Sequence, residues 1–225
     1  MYAIIVAAGS GQRFASDVPK QFLEIAGKFV IQHSIDAFDS IDEVEGIVLV
    51  MPQNQKLWQD ITLTATKPLM YTTGGSSRVE SVLHGLEILA PSVEETSWIL
   101  VHDAARVCVT SDDIKKLITI CSQKNQGGLL VKDINDTIKY SQDGDYVNKT
   151  IDRNNLYAAL TPQMFPYGQL VDVLSNVDGT SITDEASAFE QRGIKPLMVK
   201  GRSDNFKLTY ADDFLMATFI LRKRT

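Results

Sequence analysis

The sequence predicts an α/β fold: a doubly wound, mostly parallel sheet with a protruding β-hairpin arm. Three observations predict it. Short apolar runs alternate along the chain with amphipathic stretches of helical period. The apolar runs are continuous, GIVLVM at 46–51 being the clearest, so their strands are buried on both faces. The alternation breaks once, at TIKYSQDGDYVNKTID, where Asp143-Gly144 is a hairpin signal between strands too polar for a doubly covered sheet.

Each element has its own pattern. Residues 2–8 form the first strand. Val30, Ile31, Ser34, Ile35 and Phe38 keep helical spacing. Residues 46–51 are a strand ended by Pro52, and 68–71 a weaker one before Gly74-Gly75. Residues 78–89 place Val79, Val82, Leu83, Leu86 and Leu89 or Ala90 on one helical face, and 98–101 are a further buried strand. Ser111 caps a helix with the stripe Ile114, Leu117, Ile118 and Cys121, followed by a strand at 127–131. Helix 187–192, strand 195–199 and helix 212–222 complete the pattern. Thr209 with Asp212 reads as a capping box. The expectation is one domain over 1–225, with an arm at about 137–153. An isolated hairpin is marginal in water, so the arm is expected to lean on a second copy of the chain.

The chain has 225 residues, 44% of them hydrophobic, which is ample for a core. A net charge of -6 argues against a broad nucleic-acid-binding face. No window approaches the roughly 20 apolar residues of a membrane span. Two cysteines, Cys108 and Cys121, form no disulfide framework, and both read as structural. A cytoplasmic protein is expected. His33, His84 and His102 also read as structural, with His102 facing away from Asp103.

Residues that follow the strands carry the chemistry, because doubly wound sheets bind ligands beyond the carboxyl ends of their strands. The first is VAAGSGQRF at 6–14. Gly9 and Gly11 fit a dinucleotide fingerprint, but Phe14 stands where its third glycine would be, and no Walker string occurs. What remains is a small-residue turn open to an anion, with Arg13 and Lys20 adding positive charge. VHDAAR at 101–106 puts Asp103 where a single carboxylate, with substrate phosphates, can hold magnesium. Gly74-Gly75-Ser76-Ser77-Arg78 opens a helix, and Ser76 or Ser77 suits its cap. Thr183-Asp184-Glu185 starts another, with Thr183 as cap and acids suiting the dipole. GRSDNFKLT supplies Lys207. Arg13, Lys20, Arg106, Arg153 and Lys207 are basic. All but Arg153 are expected at the strand-end face, converging on a polyanion beside Asp103. Displacement at a nucleoside triphosphate fits that arrangement.

The strings AAGSGQRF, PKQF, GGSSRVESV, VHDAAR, DTIK, DRNNLYAALTPQMF, ITDEASA and GRSDNFKLT resemble the 2-C-methyl-D-erythritol 4-phosphate cytidylyltransferase family. The likeness runs from residue 3 to about 217, with the motifs in order. It implies a Rossmann-like nucleotidyltransferase fold and a homodimer whose arm reaches into the partner. The implied reaction joins CTP and methylerythritol phosphate, with magnesium, releasing pyrophosphate. It matches Arg13, Lys20 and Lys207 to cations around the reacting phosphorus, and Asp103 to the metal and the substrate hydroxyls. Arg106, Thr137, Arg153, Thr161 and Thr183 match contacts to the alcohol phosphate, those of Thr137 and Arg153 in the partner's site. Ala7, Ala8, Gly9, Gly11, Gly75, Ser76 and Ser81 match the cytidine and triphosphate positions. Two positions depart from the family pattern: Val107 replaces a frequent proline, and Ser76 a frequent aspartate. Three other readings are a ribitol 5-phosphate cytidylyltransferase, a non-catalytic nucleotide-binding regulator and an NAD-binding module.

Overall fold

A computed structural model describes residues 1–9, 18–177 and 182–224. The first half holds β1 (Tyr2–Val6), β2 (Glu24–Ile25), β3 (Lys28–Phe29), α1 (Val30–Asp39), β4 (Gly46–Met51), β5 (Leu69–Thr73), α2 (Arg78–Leu89) and β6 (Trp98–Asp103). The second holds α3 (Ser111–Lys124), β7 (Gly128–Asp133), β8 (Ile138–Tyr140), β9 (Lys149–Ile151), β10 (Tyr157–Pro166), α4 (Tyr167–Ser175), α5 (Glu185–Gln191), β11 (Leu197–Lys200) and α6 (Ala211–Arg224).

Seven strands form one sheet in the order β11-β7-β10-β6-β1-β4-β5. Every pairing is parallel except those of β10, which runs antiparallel to β6 and β7. The chain leaves β1 for β4 on one side, and β6 flanks β1 on the other. The crevice between β1 and β6 is therefore the topological switch point.

Side-chain alternation sorts the core into two layers. On one face Ala3, Ile5, Ile47 and Leu49 meet Ile31, Ile35 and Phe38 of α1 and Ile114, Leu117 and Cys121 of α3. On the other, Ile4, Val48, Val50 and Val101 meet Val82 and Leu86 of α2, Leu170 and Val173 of α4 and Phe189 of α5. All six residues of β4 are buried, as a doubly covered strand requires. A smaller cluster ties α6 to the β2–β3 hairpin through Ile25, Val30, Leu208 and Ala217.

Strand β10 departs from expectation. Its two alanines and Pro162 argue against a central strand. The chain accommodates the proline at a register irregularity between Ala159 and Gln163. Helix starts also shift. Thr110, not Ser111, caps α3 by accepting from Asp113 N–H. Asp184, not Thr183, caps α5 in a reciprocal box with Ser187. Before α6, Asp213 rather than Asp212 accepts from the Thr209 and Tyr210 N–H groups. The arm is a two-stranded sheet separate from the main one, pairing Ile138 with Ile151 and Tyr140 with Lys149. It exposes Tyr140, Tyr146 and Val147.

Two side chains fasten β10 to β6. Thr161 Oγ1 accepts from the Asp103 N–H at 3.2 Å and lies 2.9 Å from His102 Nδ1. His102 is fully buried, its ring 5.2 Å from that of Phe38. Burial pushes its pKa down to about 3, so the imidazole is neutral in the fold. The unfolded chain binds this proton from about pH 6.5 downward. Its contribution to stability is therefore complete above about 6.5 and declines as the pH falls toward 3. Burial also lowers His33, so the informative quantity is the difference between wild type and a His102→Gln variant. We expect the variant to lose stability less steeply with acidification between pH 6.5 and 5; parallel urea-denaturation curves would refute this.

Gly85 lets α2 lie close to β1: a Cβ there would sit 2.8 Å from Ile4 Cγ2. Gly85→Val is expected to cost about 1–3 kcal/mol by overpacking. In a chain this long, each kcal/mol corresponds to a melting temperature lower by about 2–4 °C. An unchanged melting temperature would show that α2 is free to move away.

Candidate active site

The switch point opens into a cleft of about 710 Å³. That is an ordinary size for a small-molecule site. Val6, Ala7, Ala8 and Gly9 leave β1 and form its floor with Ala104 and Ala105 after β6. Gln21 pins the start of this loop by donating to the carbonyls of Ala7, at 2.5 Å, and Gly9, at 3.0 Å. Gly75, Ser76 and Ser77 form a second wall. Ser81 shapes that wall, accepting from Gly75 N–H and donating to the Ser77 carbonyl. The two walls touch at Gly74, where a Cβ would lie 2.2 Å from the Cβ of Ala8. Only glycine permits that approach.

Ser76 also faces the cleft. Its N–H and hydroxyl both donate to Glu80 Oε2, at 2.5 and 2.6 Å. Glu80 thus sets a carboxylate beside position 76, where the resemblance leads one to expect an aspartate.

Asp103 ends β6 at the mouth of the cleft. Its Oδ1 accepts from Arg78 Nε at 3.2 Å and its Oδ2 from Lys207 Nζ at 2.7 Å. Burial alone would raise its pKa. Arg78 and Lys207 more than offset that and hold the carboxyl well below the usual range, so it stays ionised. Arg78 also grips Glu185 through both terminal nitrogens. Lys20 reaches across the cleft to the Leu208 carbonyl. Lys20 and Lys207 thus line the same space as Asp103.

A second recess, of about 190 Å³, shares Arg78, Asp103 and Lys207 with the cleft. Arg106, Thr161, Gln163, Thr183 and Asp184 line it too, with Ala159 and Leu160 of β10. Arg106 donates to the carbonyls of Asn205 and Ala159, bracing the Lys207 loop against β10. Asn205, fully buried, ties the same loop to the Thr161 carbonyl.

The expected site residues therefore divide. Ala7, Ala8, Gly9, Lys20, Gly75, Ser76, Ser81, Asp103 and Lys207 line the cleft, and Arg106, Thr161 and Thr183 line the recess. Gly11 and Arg13 lie outside the described residues. Thr137 and Arg153 sit exposed at the root of the arm and line neither hollow, Arg153 donating to the Asn135 carbonyl. Sequence reasoning missed Gln21, Arg78, Glu185 and Asn205. All four fall inside strings that it quoted, but nothing local shows that their side chains turn inward.

Residues 1–223 match the sequence profile of the family described as 2-C-methyl-D-erythritol 4-phosphate cytidylyltransferase. The protein of that name from Vibrio vulnificus is 39% identical over 225 residues, covering 99% of this chain and 95% of the relative. The one from Chromobacterium violaceum is also 39% identical, covering 100% and 99%. A crystal structure of the Francisella tularensis 2-C-methyl-D-erythritol 4-phosphate cytidylyltransferase superposes with a TM-score of 0.83 at 31% identity, covering 97% of this chain and 98% of that one. A crystal structure of a 4-diphosphocytidyl-2C-methyl-D-erythritol synthase gives 0.81 at 33%, covering 98% and 97%. With its fold and nearly its whole length in agreement, the chain belongs to the 2-C-methyl-D-erythritol 4-phosphate cytidylyltransferase family of nucleotidyltransferases.

Proposed function

We propose that the cleft transfers a cytidylyl group from CTP to 2-C-methyl-D-erythritol 4-phosphate, giving 4-diphosphocytidyl-2-C-methyl-D-erythritol and pyrophosphate. One observation carries this beyond family membership. Asp103 and Lys207 stand on the wall common to a nucleotide-sized cleft and a smaller polar recess, as a two-substrate reaction needs. CTP takes the cleft and the alcohol phosphate the recess. A phosphate oxygen of the alcohol attacks the α-phosphorus in line, a new P–O bond forms, and the bond to the β-phosphate oxygen breaks. That nucleophile is largely ionised near neutral pH, so no general base is required. Lys20, Lys207 and Arg13 offset the charge that builds at phosphorus. Ala7, Ala8, Gly9, Gly11, Gly75, Ser76 and Ser81 hold the nucleotide, and Arg106, Thr161 and Thr183 the alcohol.

A divalent cation, most simply magnesium, fits this wall. Among the described residues no three His, Cys, Asp or Glu side chains cluster to cage a metal. Asp103 with phosphate oxygens and water would hold it, as magnesium prefers. When bound, the ion neutralises part of the triphosphate charge. No described helix is long and apolar enough to cross a membrane, and we place the enzyme in the cytoplasm. The chain acts as one domain, with its arm completing a homodimer. Thr137 and Arg153, remote from their own cleft, would then serve the partner's.

The deciding assay is pyrophosphate release from CTP with methylerythritol phosphate or ribitol 5-phosphate offered separately. Release with the first is expected; release with ribitol 5-phosphate alone overturns the substrate, and none with either overturns the reaction. Lys20→Ala should lower kcat about 100-fold or more, as loss of a transition-state contact does. Turnover near wild type would remove Lys20 from the mechanism. Mixing Lys20→Ala with Arg153→Ala chains tests the arm. If Arg153 serves the partner, mixed dimers regain one intact site, restoring about a quarter of wild-type activity by statistical pairing. No recovery would place Arg153 in its own chain's site.

A further inference from the structure

We infer that Arg78 is a positioning residue for the transfer reaction and that buried Glu185 is its anchor. This rests on the reading of the cleft as a cytidylyltransferase site. It adds two residues that act through Asp103: Glu185, which lines neither hollow, and Arg78, which borders both but whose guanidinium is spent on Glu185 and Asp103.

The geometry is a relay of fixed parts. Gln163 of β10 fastens the start of α5: its Oε1 accepts from Ala186 N–H at 2.8 Å and its Nε2 donates to Asp184 at 2.8 Å. That sets Glu185, whose side chain is 1% exposed. Glu185 accepts both terminal nitrogens of Arg78, leaving Nε to meet Asp103 Oδ1. Arg78 is itself the first residue of α2, capped by Ser77. Three elements thus converge to aim one carboxylate. Only a guanidinium can do this, because its planar fork reaches two acceptors at fixed angles, whereas an ammonium is a point charge.

The two cations on Asp103 are not equivalent. Lys207 belongs to a loop and is 43% exposed; Arg78 is 23% exposed and clamped at its far end. Lys207 can turn to a phosphate when one arrives. Arg78 stays, so Asp103 remains ionised and keeps its direction while Lys207 is occupied elsewhere.

The test is a double-mutant cycle on the full chain. Arg78→Lys keeps the charge and loses the fork. Glu185→Gln keeps the shape and loses the anchoring charge. Each is assayed alone and with Asp103→Asn, recording kcat, KM for CTP and melting temperature. Each single substitution should lower kcat by about tenfold to hundredfold, as misplacement of a catalytic group does, with KM for CTP changed less than about threefold. With Asp103→Asn present, the same substitution should cost less than about threefold more, because its route of action is gone. Near-wild-type kcat, fully multiplicative losses, or losses that follow the unfolded fraction would each overturn the inference. Should Arg78→Lys fail to fold, the near-isosteric Glu185→Gln cycle decides alone. A wild-type chain that releases no pyrophosphate would instead overturn the functional reading.

Discussion

The structure depends on one ionised carboxylate held out of bulk water. Asp103 sits at the carboxyl end of β6 with Arg78 on one oxygen and Lys207 on the other. Burial opposes its charge, and the two cations restore it. Glu185, still more deeply buried, is tolerable only because Arg78 meets it with two nitrogens. Stripping one partner from such a buried pair costs on the order of 3–5 kcal/mol. The positions of α2, α5 and the Lys207 loop are tied to one another through these charges as much as through apolar packing.

The sheet makes that arrangement possible. Because β1 sends its chain one way and β6 lies on the other side, the crevice between them is left uncovered by a crossover helix. Antiparallel β10 then brings Thr161 and Gln163 beside the end of β6. Thr161 fixes the backbone of Asp103, and Gln163 fixes the helix that carries Glu185. One strand, running against its neighbours, thereby supports both Asp103 and Glu185.

Much of this was legible in the sequence, for physical reasons. Continuous apolar runs such as GIVLVM announce strands covered on both faces, and Asp143-Gly144 announces the loop that joins paired β8 and β9. The ends of those strands pointed to Asp103, Lys20 and Lys207. Strand β10 was hidden because alanine and proline are poor local signals, and tertiary pairing with β6 and β7 overrides them. Glu185 was hidden for a different reason. An acid in the first turn of a helix already has a sufficient explanation in the dipole, so nothing local suggests burial. Its partner Arg78 lies 107 positions away, a distance at which periodicity says nothing.

The contact between Gly74 and Ala8 has a consequence for inhibition. The cleft walls there are backbone and Cβ, not long side chains. A competitor that hydrogen-bonds to that main chain offers few substitutions by which it alone could be evaded. Any larger residue at Gly74 would push the two loops apart and disturb the natural ligand's seat together with the competitor's. Even at Ser76, where a side chain is available to change, Glu80 holds both the backbone N–H and the hydroxyl, so that wall too resists a change that spares the loop.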